Sequence, residues 1–244
     1  MFGLLGSLIT LYGIYRIVQR HQARRSDGKR DWLRRLAATA VTAVAEVQAG
    51  REVKVAGRVR FAVEPFVTPV GAERCAIYEA SAHESGDGSG AELARTAQRS
   101  DFFVEDESGK LFVRAESALL LLYPTCLRQA ARWKRADEKV ERFIQQAGGE
   151  ASATGPLLYA EAALREGDFV QVIGMATEEL DPTASAPHTH REPARRLTLV
   201  AAPGIELLVS SYSPHVIRIF QLPDRDVDQG ALDALTGSAT KSAD

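Results

Sequence analysis

The fold of this chain is decided by the stretch EVKVAGRVRF, residues Glu52–Phe61. Apolar and polar side chains alternate through it almost strictly, with apolar ones at Val53, Val55, Val59 and Phe61. Because successive side chains of a strand point to opposite faces of a sheet, this period of two predicts a half-buried β-strand. We interpret Gly57, inside the same stretch, as a β-bulge.

Further strand signals follow downstream and predict a mainly β fold. Two apolar runs flank Ser108-Gly109, which indicates a hairpin, and a turn at Glu166-Gly167-Asp168 leads into another strand. The predicted strands after the first are Cys75–Ala82, Asp101–Glu105, Leu111–Ala115, Phe169–Ala176, Arg196–Ala201 and Leu207–Ser211. We expect an α+β domain, a small, partly open β-barrel or sandwich of about seven strands with a helical insertion.

Two helices are predicted within the body of the chain. The first covers Asp31–Val47 and places Trp32, Leu33 and Leu36 on one face. The second is the helical insertion, Leu127–Ala147, which has apolar residues at helical spacing and is followed by a pair of glycines that ends it. We expect the insertion to cover the barrel or to form a docking site for a partner, with Trp133, Val140 and Phe143 as the docking residues.

The remaining segments are predicted to be loops, a short helix and a tail. His83–Ser100 is rich in glycine, serine and charge, and Asp181–Pro193 contains three prolines, so both are expected to be loops. A last helix is expected over Tyr212–Phe220. Residues 224–244 are acidic and rich in small side chains, which is typical of a disordered tail.

The N-terminal segment Phe2–Tyr15 carries no charged side chain. Extended to Gln19 it has 18 residues, which as a helix span about 27 Å, close to the roughly 30 Å of a bilayer core. We therefore predict a membrane anchor that spans the bilayer; a helix buried in the protein or lying in the interface is the alternative. The anchor residues are Phe2, Leu4, Leu5, Leu8, Ile9, Leu11, Tyr12, Ile14 and Tyr15.

A basic segment follows the predicted anchor. Between positions 16 and 35 eight basic residues face two acidic ones, so this stretch carries +6 and the rest of the chain −8, for a total of −2. We expect Arg16, Arg20, Arg24 and Arg25 to contact lipid headgroups. The positive-inside rule then places the domain on the cytoplasmic side. A secretory signal peptide is disfavoured because the positive charge follows the apolar run instead of preceding it.

Candidate chemical sites are weak. His188 and His190 are two imidazoles near Glu192, but they lie among prolines, which favours an exposed loop over a metal site. The glycine-rich run 86–90 lacks the lysine and the preceding strand that a phosphate-binding loop needs. There is no nucleophile elbow, and Glu166 and Asp168 flank a turn glycine, where carboxylates commonly accept backbone hydrogen bonds. We expect no catalytic residue, no bound metal and no cofactor.

The cysteine count excludes one class of module. Cys75 and Cys126 are the two cysteines of the chain, too few for a disulfide framework and far short of the eight Cys and His ligands of a RING-type zinc module. We interpret Cys75 as a small buried apolar residue. The apolar fraction of 45% and the charged fraction of 25% are ordinary for a globular domain, so bulk composition points to no particular ligand.

An ordered series of short motifs resembles the GIDE domain, also called BAM for "beside a membrane". The series consists of Val55-Ala-Gly57, Pro65, Pro69-Val-Gly71, Cys75-Ala-Ile-Tyr78, Asp106-Glu-Ser-Gly109, Glu161, Leu164-Arg-Glu-Gly-Asp168, Val170-Gln-Val-Ile-Gly174 and the closing strand Glu206-Leu-Leu-Val-Ser-Ser211. The positions that map onto the scaffold of the family are Gly57, Pro69, Gly71, Cys75, Tyr78, Asp106, Gly109, Gly167, Asp168 and Gly174.

The resemblance implies a domain that senses or binds something near a membrane. The family is known from membrane-embedded RING E3 ubiquitin ligases of mitochondria and chloroplasts and from bacterial proteins without an assigned role. The present chain departs from the ligase pattern because it has no RING and no second membrane segment near its end. No catalytic residues carry over, since the functional ligands of the ligases lie in the RING.

These observations divide the chain into an anchor over 1–19, a basic juxtamembrane linker or helix over 20–48, a GIDE-like β domain over 49–223 with a helical insert at 127–147, and the tail. We expect a single-pass membrane protein whose domain binds an unknown protein partner without catalysis. The first alternative is ubiquitin-transferase-like activity with a RING supplied by another subunit. The second is a nucleic-acid-binding OB-like barrel, which the charge of −8 after Arg35 disfavours.

Overall fold

The computed structural model of the chain describes residues 26–84, 91–130, 137–150, 156–182 and 194–212. These ranges contain two α-helices, one short 3-10 turn and twelve strands in two sheets. The helices are α1, Ser26–Ala38, and α2, Glu138–Gln146, and the 3-10 turn is Val44–Glu46. The strands are β1 Glu52–Phe61, β2 Phe66–Val67, β3 Arg74–Glu84, β4 Glu92–Arg99, β5 Phe102–Asp106, β6 Gly109–Val113, β7 Leu119–Leu121, β8 Cys126–Ala130, β9 Leu157–Arg165, β10 Phe169–Leu180, β11 Arg195–Val200 and β12 Leu208–Ser210.

The alternating stretch that forms β1 begins a closed barrel. Strand β1 pairs antiparallel with β5, β5 with β6, and β10 with both β11 and β1, while β6 and β11 pair in parallel. The ring β1-β5-β6-β11-β10 thus returns to β1, so the barrel is closed rather than partly open. Its apolar core includes Val55, Val59, Val104, Val172 and Leu199, none of which is exposed to solvent.

The connectivity of this ring is that of an OB-type barrel. Counted within the ring, the strands run 1-2-3-5-4 and close between 4 and 1, with the parallel pair between 3 and 5. This is the five-stranded Greek-key order of OB-folds. Strands β12 and β7 extend the sheet outward from β10, so the ring and its extension comprise seven strands.

Gly57 fills a different role from the predicted bulge. The register between β1 and β10 runs without a shift from Glu52 to Arg58. A Cβ at position 57 would instead stand 2.3 Å from the backbone oxygen of Glu105 on β5. Glycine is therefore required because two backbones approach closely, and the bulge prediction was wrong.

A second sheet is inserted into the barrel topology. It has the order β2-β3-β9-β8. Strand β4 also pairs with β3, along the part of β3 that follows its short pairing with β2. The prediction of a loop over His83–Ser100 was wrong for the second half of that segment, because β4 occupies Glu92–Arg99. Only Ala94 of that strand is buried. An edge strand with so little buried surface has the polar composition of a loop, which accounts for this error. The predicted count of about seven strands falls short of twelve because β2, β7, β8 and β9 were missed as well.

The predicted helical insertion is part strand and part helix. Its beginning, Cys126–Ala130, is β8, which pairs with β9, and α2 begins only after Asp137, whose side chain accepts from the backbone of Lys139. Within α2 the apolar spacing is confirmed, since Val140, Phe143 and Ile144 are buried. The predicted end is confirmed as well: the first glycine after the helix, Gly148, has a φ of +78°.

The bounds of the first helix also differ from the predicted ones. Helix α1 ends at Ala38, well before Val47, and the chain then forms the 3-10 turn before entering β1. Its predicted apolar face is confirmed: Leu33 and Leu36 are buried in a cluster with side chains of β7, β10 and β12, and Trp32 packs against that cluster. The predictions for residues 1–25, Trp133, residues 183–193, 213–220 and the tail lie outside the described residues.

Candidate functional site

The motif residues of the second sheet converge on one carboxylate. Pro69 and Gly71 lie in the turn between β2 and β3, and Cys75 and Tyr78 lie on β3. Glu161 lies on β9, whose residues pair along β3, and is opposite Ala80. Residues that are separated by up to 92 positions in the chain are therefore brought together by the pairing of β3 with β9.

Glu161 is fully buried and holds the turn that precedes β3. Its Oε2 accepts hydrogen bonds from the backbone N–H of Val70 at 3.1 Å and of Gly71 at 3.4 Å, and from the hydroxyl of Tyr159 at 2.5 Å. No donor among the described residues reaches Oε1. A Cβ on Gly71 would stand 2.6 Å from that oxygen, so the glycine backbone packs directly over it.

The groups around Glu161 are held in their protonated forms. Burial, followed by the charges of Glu161 and Glu73, raises the pKa of the Cys75 thiol to about 12. Burial and the hydrogen bond to Glu161 likewise raise the pKa of Tyr159. Because the thiolate is the reactive form of cysteine, Cys75 is inert at neutral pH, in agreement with its interpretation as a buried apolar residue.

The turn carboxylates among the motif residues accept backbone hydrogen bonds. Asp106 accepts from the N–H groups of Val44, Ser108 and Gly109, and thereby fixes both the β5–β6 hairpin and the 3-10 turn. Burial acts to raise the pKa of Asp106, but these bonds and that of the Ser108 hydroxyl outweigh it and hold the pKa below its usual value. Asp168 accepts from the backbone of Arg165 across the turn at Gly167 (φ +80°), as the carboxylate interpretation predicts.

Gly174 of the motif series is a close-approach glycine. A Cβ there would stand 2.7 Å from Cδ1 of Leu207 and 3.1 Å from the backbone oxygen of Val200. Since β10 pairs with β1 on one side and with β11 and β12 on the other, this crowding arises where three neighbours meet one strand. The motif residues thus act on folding, as their glycine content indicates.

The outer face of the barrel carries ion pairs arranged around two glutamates. Arginine and lysine side chains of β1 and β6 meet Glu105, and Glu179 meets one arginine directly after β6 and one arginine of β11. The pairs are Arg60–Glu105, Lys110–Glu105, Arg114–Glu179 and Arg196–Glu179. Hydrogen bonds from Arg60 and Lys110 lower the pKa of Glu105, so this carboxylate is charged at neutral pH.

Two aromatic rings lie beside these ion pairs. Phe103 and Phe112 meet edge to face with 5.2 Å between ring centroids, and the guanidinium carbon of Arg196 lies 3.5 Å from the Phe112 centroid. Phe112 is only 6% exposed. One face of that ring is therefore already covered by a cation that is itself paired with Glu179.

The docking of α1 onto the barrel is the feature that sequence reasoning missed. The ammonium of Lys54, which is 6% exposed, donates to the carbonyl oxygen of Leu36 in the last turn of the helix. Burial lowers the pKa of Lys54. Arg35 Nη2 lies 2.7 Å from Glu52 Oε1. The alternation in β1 correctly predicts that Lys54 points away from the barrel interior. Nothing in the local sequence pattern indicates that a helix covers this side chain.

Aromatic side chains border the cluster beneath α1. Trp32 and Tyr212 both pack against the cluster beneath the helix. The ring of Tyr212 meets that of Tyr123 edge to face, with 5.9 Å between centroids, and Tyr123 is 54% exposed. At the other end of the helix, a groove of about 480 Å³ is lined by Arg35, Ser117, Leu119 and the turn around Gly204.

Two of the residues predicted for partner docking lie in a hydrophobic core and not on the surface. Val140 and Phe143 are 1% and 3% exposed and belong to the core of the second sheet, where Phe143 meets the ring of Tyr159 at 5.3 Å. Their helical spacing is thus explained by core packing. Trp133, the anchor residues, the headgroup arginines Arg16, Arg20, Arg24 and Arg25, and the pair His188 and His190 lie outside the described residues.

In the part of the chain that the structure describes, no three His, Cys, Asp or Glu side chains cluster in a way that could hold a metal ion. Neither α1 nor α2, the helices of those ranges, is long and apolar enough to cross a bilayer. Comparison with protein-family models, with curated proteins and with solved structures finds no match, so function is inferred from the chain's own residues.

Proposed function

We propose that this chain is a membrane-tethered binding domain of the GIDE type, in which a β-barrel is held beside a bilayer to recognise a protein partner there. The packing of α1 carries the proposal. This helix comes after the uncharged segment in the chain and contains the second half of the basic segment, and its apolar face is buried on the sheet that extends the barrel.

The contacts of α1 suit a tether that also orients the domain. A flexible linker would suffice to keep a domain near a membrane. Here the last turn of the helix is fixed by the buried Lys54 and by the Arg35–Glu52 pair, and Leu33 and Leu36 are 7% and 0% exposed. A rigid junction lets one surface of the barrel face the bilayer while another faces a partner.

The chemistry of the motif residues favours binding over turnover. Glu161 is enclosed under the turn at Gly71, and Cys75 is buried with a raised pKa. Neither group offers a reactive atom to a substrate at neutral pH. Ubiquitin transfer by this chain would require a RING from another subunit, as the cysteine count implies.

The barrel connectivity favours nucleic-acid binding as a second candidate. OB-type barrels bind oligonucleotides on the face made by the second and third strands of the ring, here β5 and β6. That face carries Phe103, Phe112 and several basic residues. The basic side chains are paired with Glu105 and Glu179, and Arg196 covers Phe112, so the phosphate and stacking contacts of such a ligand are already occupied. The binding domain without nucleic acid is therefore the stronger proposal.

Membrane fractionation tests the tether. The full chain, a variant lacking residues 1–19 and a matched control lacking residues 224–244 are expressed, and their membranes are washed with alkaline carbonate. The proposal expects the full chain and the tail deletion in the washed pellet and the N-terminal deletion in the supernatant. If the N-terminal deletion stays in the pellet, or if all three are soluble, the tether is disproved.

A second assay separates the two candidate functions. The variant lacking residues 1–19 is passed over immobilised single-stranded DNA at low salt, beside an Arg114→Gln/Arg196→Gln variant of the same chain. The binding-domain proposal expects no retention of either. Retention that falls with salt and is reduced in the double variant would transfer the function to the β5–β6 face.

A further inference from the structure

The direction of α1 along the sheet follows from contacts at its last turn. Arg35 reaches Glu52 at 2.7 Å and Glu206 at 3.9 Å, and Leu36 accepts from Lys54. Glu52 begins β1, and Glu206 lies two residues before β12. The C-terminal end of the helix is therefore fixed where β1 and β12 begin.

The opposite end of the same sheet carries two tyrosines. Strands β12 and β7 run in parallel, with Leu208 opposite Leu119 and Ser210 opposite Leu121, and they continue to Tyr212 and Tyr123. From Glu206 to Tyr212 six residues cover about 20 Å at roughly 3.3 Å each. The two tyrosines thus lie far along the sheet from the end that holds Arg35.

One apolar cluster joins α1 to these tyrosines. The helix rises about 1.5 Å per residue, so Ser26 lies roughly 13 Å back from Arg35 along the axis. Along this path Leu33 is buried in, and Trp32 packs against, the cluster that Tyr212 also contacts. The helix, whose start follows Arg24 and Arg25 in the chain, therefore borders the cluster against which Tyr212 packs, and Tyr212 in turn contacts Tyr123.

The side chains at this end have the character of a membrane interface. Tyrosine and tryptophan are enriched at the headgroup level because their rings are amphipathic. Tyr123 is 54% exposed, whereas the other large hydrophobic side chains exposed in the described ranges, Val41, Val63, Val67 and Leu180, are aliphatic. An exposed tyrosine beside a basic segment suits anionic headgroups and their glycerol region.

We infer that this end of the domain, which we call the aromatic end and define by Tyr123 and Tyr212, rests in the headgroup layer of the bilayer. The inference rests on the proposed tether and specifies how the barrel sits on the membrane. It leaves the groove at Arg35, at the far end of α1, directed away from the lipid. A protein partner on the aromatic end is the competing occupant, and the test distinguishes it.

Single-tryptophan reporters in the full chain test the inference. Both native tryptophans are first replaced, as Trp32→Phe and Trp133→Phe. One new tryptophan is then introduced into this background at a time, as Tyr123→Trp, Tyr212→Trp or the control Val67→Trp. Val67, on β2 of the second sheet, is 58% exposed, so its exposure matches that of Tyr123. Each variant is reconstituted into vesicles of phosphatidylcholine and phosphatidylglycerol that contain a lipid with a quencher at the headgroup–chain boundary, and circular dichroism checks folding.

Lipid contact at the aromatic end predicts quenching at position 123 several times stronger than at position 67, with position 212 intermediate because it is partly buried. Co-flotation of every variant without quenching at 123 or 212 would overturn the inference while leaving the tether intact, and would leave the aromatic end to a protein partner. Failure of the variants to float with the vesicles would overturn the tether, and the inference with it. If Tyr123→Trp does not fold, the comparison of positions 212 and 67 decides.

Discussion

Gly71 lies directly over the buried carboxylate of Glu161. Its backbone N–H donates to Oε2 at 3.4 Å, and a Cβ on residue 71 would stand 2.6 Å from Oε1. Residue 71 is itself exposed to solvent, so neither burial nor a positive φ accounts for a glycine there. The carboxylate beneath it does, because any side chain atom at this position would collide with the acceptor that holds the turn.

Replacing Gly71 with alanine should destabilise the fold although the site is on the surface. We expect Gly71→Ala to lower the free energy of unfolding by about 1–3 kcal/mol, the usual cost of overpacking. Gly109→Ala is the control, since its Cβ would meet only Val44 Cγ1 at 3.4 Å, and surface changes of that kind stay within about 0.5 kcal/mol. Urea titration measures both, and equal costs would contradict the account of Gly71.

The hydrogen bond between Tyr159 and Glu161 should couple their contributions to stability. Tyr159→Phe removes a donor to the buried carboxyl oxygen of Glu161 and should cost about 1–3 kcal/mol, the usual cost of removing one partner of a buried hydrogen bond. In a double-mutant cycle with Glu161→Gln, the two changes should be non-additive by about 1 kcal/mol or more. Glu166→Gln with Tyr159→Phe is the control cycle, because Glu166 is exposed and bonds elsewhere. Additivity in both cycles would refute the coupling.

Lys54 should govern how firmly α1 is held. Lys54→Met keeps the aliphatic length of the side chain and removes the donor to Leu36, so we expect a loss of about 1 kcal/mol. Hydrogen exchange should become faster across residues 26–38 and stay unchanged in the barrel strands. The control Lys110→Met removes a half-exposed lysine that pairs with Glu105; if it accelerates exchange in α1 to the same extent, Lys54 has no special role.

Asp106 should give the fold a specific sensitivity to acid. Its folded pKa is lowered by hydrogen bonds that outweigh burial, so the unfolded state binds the proton more readily. Its stabilising contribution is complete above the unfolded pKa of about 3.9 and is lost as the pH falls through the lower folded value. Urea midpoints at neutral and acidic pH should differ less in Asp106→Asn than in the wild type. An unchanged difference would exclude Asp106 as a source of this sensitivity.

Local pattern determined those elements that have one buried and one exposed face. The alternation of β1 and the hairpin around Ser108-Gly109 are confirmed, because burial of one face imposes a period of two on the sequence itself. The apolar spacing of α1 and α2 is confirmed for the same reason at helical period. By contrast, β2, β4, β7, β8 and β9 were missed. Strands β4 and β8 are edge strands that bury too little surface to leave a pattern, and β2 and β7 have only two and three residues. Strand β9 lies between β3 and β8 and is buried or half-buried along its whole length, so its sequence does not alternate.

The relationships that matter for the proposed function were decided only by the tertiary structure. The sequence by itself predicted a β domain behind an uncharged N-terminal segment and a basic one. That Lys54 lies under Leu36, that Glu161 holds the turn at Gly71 and that Tyr212 packs against the cluster of Leu33 all depend on strands pairing across long stretches of chain. Local periodicity reports which face of an element is buried, whereas long-range pairing decides which residues bury it.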